Sequence, residues 1–443
     1  MANQKKSSSS KYQKKAVKTA KKMAKKNPKA FLIIVLVLVI LIGAGLAVYF
    51  LFLKDKIGGN TSTSSSEPVS GEVSSQSSHN HAEHAEYNPK LETPSGISIN
   101  FLELGSWYTG DCTYIKAGDA DILIDAGSRQ SSAKTIKEFV DQYCEDGKLE
   151  YVIATHAHQD HIAGFVGTKA DPGIFESYKI GTLIDFALTN ISLETDKGNP
   201  TLYGNYVAKR TAAIDSGDIE HHFTAAECIA ESGEAKKEYV INDSVKMEIL
   251  DQKFYHPVTD KSYFPELDIK NEEEAATEQK KVDENDYSVC ALFTHNQNHY
   301  LFTGDLEGEG EASLVDLNSD LPHCQLFKGG HHGSKTSNTE KLLNKIQPEV
   351  VCICCCCGND EYTKENNNQF PTQTAINNIA KYTQEIFVTT ISTDNDKKTY
   401  TSMNGNICFK CENGKDYTVA GSNNSVILKD TEWFKTNRIW PSA

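Results

Sequence analysis

The run Thr155-His156-Ala157-His158-Gln159-Asp160-His161 constrains this chain more than any other segment. It follows Tyr151-Val152-Ile153-Ala154, a short apolar stretch that reads as a buried strand. At a strand's end, residues two apart project to the same side, so His156 and His158 can hold one ion. A turn at Gln159 brings Asp160 and His161 to face a second ion, and Gly164 lets the following helix pack closely. A single His on a strand is an ordinary core or surface residue. Four ligand-type side chains packed directly after an apolar strand have no comparable structural explanation. Imidazole with carboxylate suits zinc, and also manganese or iron.

Two later segments extend the pattern. Tyr300-Leu301-Phe302-Thr303-Gly304-Asp305 reads as a buried strand with a carboxylate at its tip, where it can bridge two ions. Phe327-Lys328-Gly329-Gly330-His331-His332-Gly333-Ser334-Lys335-Thr336-Ser337 reads as a strand and a Gly-rich turn. That turn offers backbone N–H groups and cations to an oxyanion. Strands are also expected near 112–117, 122–124, 179–186, 245–250 and 288–294, and helices near 132–143, 203–215, 339–346 and 373–382. This alternation predicts an α/β layered domain. The stretches 190–222 and 268–286 read as polar or acidic insertions near the rim of the site.

In order along the chain, Leu123-Ile124-Asp125-Ala126-Gly127, the His cluster, Thr303-Gly304-Asp305 and His331-His332-Gly333-Ser334 resemble the metallo-β-lactamase superfamily. More narrowly, they are similar to the hydrolase domain of ComEC-type competence proteins and their stand-alone relatives. The resemblance implies a four-layer αββα sandwich, a site at the edge of the two sheets, two divalent ions (zinc, with manganese as the alternative) and hydrolysis by a metal-activated water. His156, His158, Asp160, His161, Asp305 and His331 are then the expected ligands. Asp160 or Asp305 orients the nucleophile, His332 protonates the leaving group or steadies the developing charge, and Asp125 holds the ligand loops from behind. Lys328, Ser334 and Lys335 are expected to bind a phosphate oxygen. Two departures stand out. The superfamily has a further His before the bridging Asp, and only His221 and His222 lie in that interval. ComEC-like chains carry Asn-x-x-x-His-Pro after the next strand. Here Gly358-Asn359 is followed by Phe370-Pro371, without the His.

Phe31–Leu53 is an uncharged apolar run. As a helix it would reach roughly 34 Å, enough for a bilayer core of about 30 Å. Eleven Lys precede it, so residues 1–30 are expected to be a basic cytoplasmic tail and everything after Leu53 to lie outside the membrane. Residues 54–96 read as a Ser-rich disordered linker, with His79, His81 and His84 near its end. Residues 97–443 are the expected hydrolase domain. Residues 1–56 carry thirteen Lys and one Asp against a net charge of −15 for the whole chain, leaving −27 on the remainder. That balance disfavours long polyanions and favours short phosphodiesters. Lactone, lactam or other ester substrates remain the alternative within hydrolysis. A non-catalytic, metal-stabilised surface binding protein is the alternative outside it. The twelve Cys do not form a disulfide-like framework, and Cys352-Ile353-Cys354-Cys355-Cys356-Cys357 reads as small hydrophobes in a buried strand.

Overall fold

The computed structural model describes residues 86–442. The basic tail, the expected span 31–53, and His79, His81 and His84 lie outside the described residues. Among the described residues, no helix is long and apolar enough to cross a membrane.

Among the described residues, sixteen strands form two eight-stranded sheets. In the first sheet they are β1 Ile97–Phe101, β2 Thr113–Ala117, β3 Ala120–Ile124, β4 Lys148–Ile153, β5 Lys179–Asp185, β6 Ile219–Thr224, β15 Ile407–Cys411 and β16 Tyr417–Gly421. Their spatial order is β16-β15-β1-β2-β3-β4-β5-β6. In the second sheet they are β7 Glu238–Val240, β8 Val245–Leu250, β9 Cys290–His295, β10 Asn298–Phe302, β11 Leu326–Lys328, β12 Val350–Cys357, β13 Glu385–Asp394 and β14 Thr399–Ser402, in the order β14-β13-β12-β11-β10-β9-β8-β7. Both sheets are mixed: β3 to β6 run parallel, as do β10 to β13, with antiparallel strands outside them.

The sheets pack face to face through large rings, with Phe101 and Phe302 6.2 Å apart and Tyr300 and Phe409 5.2 Å apart. The helices Ser132–Val140, Gln159–Val166 and Leu202–Ser216 add Ile136, Phe165 and Tyr206 to the core of the first sheet. A second core lies between Leu301, Phe327, Val351 and Ile353 and the helical residues Leu314, Leu342, Ile376 and Phe434. The molecule is therefore an α/β sandwich of two mixed sheets with helices on the outer faces.

Strand parity explains the Cys run. Cys352 and Cys354 face the core shared by the sheets, whereas Cys355 and Cys357 face the helices. All twelve Cys are buried and none is in a disulfide.

The insertions are more ordered than expected. Residues 190–222 were expected as a mostly polar insertion, yet they end in β6, a strand of the first sheet; its Glu220 and His221 are exposed because β6 is an edge. The acidic stretch contains the helix Glu272–Gln279 and ends in the buried turn Glu284–Tyr287. Glu284 ties the two insertions together, accepting from the Thr189 hydroxyl and the Asn190 N–H, each at 2.7 Å.

Candidate metal centre

The parallel strands of both sheets deliver their C-terminal ends to one edge, the place where α/β sheets present ligand-binding loops. From β3 comes Asp125, from β4 the His cluster, from β10 Asp305 and from β11 the His331-His332 turn. The helix Gln159–Val166 starts directly after His158. Close backbone approach requires glycine here. A Cβ on Gly164 would collide with the Ala126 carbonyl, and one on Gly127 with the Asp160 carbonyl.

His161 is fully buried between two carboxylates. Its Nδ1 lies 2.7 Å from Asp125 Oδ2 and its Nε2 3.1 Å from Asp305 Oδ2. Asp125 also accepts from the Thr155 N–H at 2.7 Å and the Thr155 hydroxyl at 2.8 Å, which fixes the imidazole from behind. Burial alone would lower the His161 pKa, but Asp305 and Asp125 raise it to about 10.

His332 is also fully buried. Its Nδ1 sits 2.9 Å from the Cys354 carbonyl and 3.1 Å from Asp111 Oδ1, and its Nε2 3.2 Å from Asp305 Oδ2 and 3.3 Å from Asp160 Oδ2. Against its own desolvation, Asp305 and Asp111 hold His332 well above the usual imidazole range.

Ligand atoms of Asp111, His161, Asp305 and His332 lie within 4.8 Å of one another. The Nε2 atoms of both His are buried without a hydrogen bond, although each is close to Asp305. Buried polar atoms of this kind are rare and costly, and nitrogens converging with carboxylates on one point suit a divalent cation. The donor set therefore fits a metal ion.

A second group stands beside it. His156 Nε2 lies 3.0 Å from His158 Nδ1, and the His156 and His161 rings are 4.2 Å apart. Burial, then the neighbouring His161 and His158, hold His156 well below its usual pKa, so it is a neutral donor. His158 Nδ1 meets Asn285 Oδ1 at 2.8 Å.

Several expectations are corrected. The two side chains of the His pair diverge, because both residues have left-handed backbone (φ 47° and 52°). His332 points into the cluster. His331, expected as a ligand, sits at its mouth, with Nε2 3.8 Å from Asp305 and Nδ1 3.4 Å from Glu307. Lys328, expected to bind substrate, is buried and ion-paired with Asp111; its Nζ also lies 2.9 Å from the Gly304 carbonyl and 3.4 Å from Asp305. It shares the inner face of β11 with Leu326, so its ammonium enters the core as a counter-ion. Ser334 is buried and bonds Thr336 at 2.9 Å, while Lys335 is exposed and donates to Asn368 at 3.0 Å. His221 and His222 lie away from the cluster, paired with Glu234 and Asp185.

Three residues escaped sequence reasoning. Asp111 stands in Thr109-Gly110-Asp111 ahead of β2, the same Gly-Asp grammar as Gly304-Asp305, and that signal could have found it. Asn285 lies inside the acidic stretch 268–286, read only as an insertion near the rim, with no residue of it singled out. Tyr362, which donates to Asp160 Oδ2 at 2.5 Å, carried no local signal.

Residues 105–169 match the family model for the metallo-β-lactamase superfamily. Competence protein ComA of Neisseria gonorrhoeae is 36% identical over 75 residues, which cover 17% of this chain and 11% of that protein. Recombination protein 2 of Haemophilus influenzae is 28% identical over 109 residues, covering 25% of this chain and 13% of that protein. The chain thus spans only a small part of the length of the curated relatives it matches. Among solved structures, the metallo-β-lactamase fold protein YhfI from Bacillus subtilis aligns with a TM-score of 0.35 at 10% identity, covering 67% of this chain and 96% of that one.

Proposed function

From a chain that carries a metallo-β-lactamase domain related to those of ComEC-type competence proteins, we propose a membrane-anchored, extracellular, metal-dependent hydrolase of short phosphodiesters. The observation that carries the reading is the buried convergence of Asp111, His161, Asp305 and His332, with two imidazole nitrogens left without hydrogen bonds. These four residues and Asp160 would hold one divalent ion, and His156 and His158 a second. Bound ions supply Lewis acidity toward a phosphoryl oxygen and activate water at neutral pH.

The remaining chemistry belongs to the protein. Asp125 keeps the His161 ring oriented with Nε2 toward the cluster. Lys328 offsets the charge that Asp111 and Asp305 bring into a dry interior. His331 lies at the mouth between Asp305 and Glu307, and it, in place of His332, is the group to protonate a leaving oxygen. Lys335 lies on the solvent side of the same turn, where it can attract an anionic substrate. The span 31–53 would tether the domain outside the cell, and the −27 balance after Lys56 favours short substrates over duplex DNA.

The test is turnover of bis-p-nitrophenyl phosphate, a linear dinucleotide, a lactone and a chromogenic lactam by the purified chain, with zinc or manganese and with chelator. The reading expects chelator-sensitive cleavage of the phosphodiesters. Cleavage of lactam or lactone alone would contradict it. A binding protein is the second reading, favoured by Lys328, whose ammonium already partly neutralises the cluster. Ion binding without turnover of any substrate would support it.

A further inference from the structure

The loop after β12 crosses the open side of the centre and is tied down there. Glu361 pairs with Arg129 at 2.7 Å and accepts the Thr109 N–H at 3.0 Å, two residues before Asp111. The next residue, Tyr362, donates its hydroxyl to Asp160 Oδ2 at 2.5 Å. Its ring lies 5.5 Å from Phe370, and Phe370 is in turn 5.7 Å from the rings of both His331 and His332. The side chain is 55% exposed, yet its polar end is aimed inward at a buried carboxylate. A tyrosine that served only packing would bury its ring and turn its hydroxyl to water. This one turns its hydroxyl inward instead.

Asp160 needs such a partner. It is not among the four residues whose ligand atoms cluster within 4.8 Å, so it stands at the outer side of the group. Its Oδ2 has one neighbour within the centre, His332 Nε2 at 3.3 Å, and one from outside, the Tyr362 phenol. An Asp carboxylate at the edge of such a group is free to rotate about its terminal bond unless a neighbour fixes it. A hydrogen bond from a ring wedged against Phe370 restricts that rotation before an ion arrives.

We propose that Tyr362 is a positioning residue that holds Asp160 in place, so that its hydroxyl sets how tightly the centre retains an ion on the Asp160 and His332 side. The inference rests on reading the cluster as an ion site. It needs no particular substrate.

The test uses the full chain and Tyr362→Phe, which keeps the ring and its packing on Phe370. Zinc affinity is read by competition with a chromophoric chelator, and the ligand field by the visible spectrum of the cobalt-substituted protein. Tyr362→Phe is expected to bind the ion about 10- to 100-fold more weakly and to show an altered cobalt spectrum, with the ion-free melting temperature unchanged. Phe370→Leu, which retains the hydroxyl and loosens the ring, should lie between the two. Wild-type affinity and spectrum in Tyr362→Phe would overturn the proposal while leaving the hydrolase reading intact. Hydroxyl-dependent ion binding without phosphodiester turnover would support it and overturn the substrate reading. A wild-type chain that binds no ion would end both.

Discussion

The two halves of the centre are built differently. The Asp111, His161, Asp305 and His332 half is closed: all four residues are buried, and Lys328, Asp125 and the Cys354 carbonyl brace them from behind. The His156 and His158 half is more open, with His158 part-exposed and braced by the amide of Asn285. A preorganised, dry set of donors with negative charge binds a cation more tightly than two imidazoles, one of them part-exposed. On the proposed reading, the halves are unequal sites. The closed one should fill first and lose most when cut.

Asp305→Asn should therefore have the largest effect. This carboxylate lies within 4 Å of His161, His331, His332 and Lys328. Residues that merely orient ligands already cost about 10- to 100-fold in affinity when removed, and loss of a carboxylate in direct reach should exceed 100-fold. Elemental analysis of the purified variant should show ion content falling toward zero. His158→Ala should be milder in total, losing the ion on its own side with the other retained. Equal losses in the two variants would break the comparison.

A smaller effect concerns the loop that presents His332. Glu311 is buried and accepts the N–H groups of Asn338 and Thr339 at 2.7 Å, and Asn338 clamps Gly330 through both its amide atoms at 2.9 Å. Burial pushes the Glu311 carboxyl up to about 7 from 4.5. A carboxyl raised on folding stabilises most below its unfolded value and loses that stability as pH rises from about 4.5 to about 7. Denaturant titrations should show wild-type stability falling relative to Glu311→Gln across this window, with a difference of slope on the order of 1 kcal/mol per pH unit. Parallel profiles would show that Glu311 is ionised throughout. Lys335→Ala should change least. Its ammonium is exposed and engaged with Asn368, so kcat/KM should drop by less than ~3-fold, the scale of a surface charge.

The reach of sequence reasoning follows the same division. The His cluster and Asp305 were legible because each follows an apolar strand directly, a local signal, and Asp125 because it stands in the Leu123–Gly127 motif that carries the family resemblance. Strand Val245–Leu250 was placed to the residue because its exposure alternates, Val245, Met247 and Ile249 inward. What escaped depends on contacts across the fold. Asn285 reaches His158 from 127 residues away and Tyr362 reaches Asp160 from 202 away. Lys328 was misjudged because a Lys beside glycines looks solvent-facing, although its parity with Leu326 already assigned it to the core. The His331-His332 order could not be read, since only the left-handed backbone separates the two side chains.

Titration of the metal-free full chain with zinc, followed calorimetrically for wild type, His332→Ala and His158→Ala, tests the account most directly. Two unequal binding steps are expected, the tighter lost in His332→Ala and the weaker lost in His158→Ala. Zinc binding that is unchanged by His332→Ala, or no zinc binding at all, would contradict it.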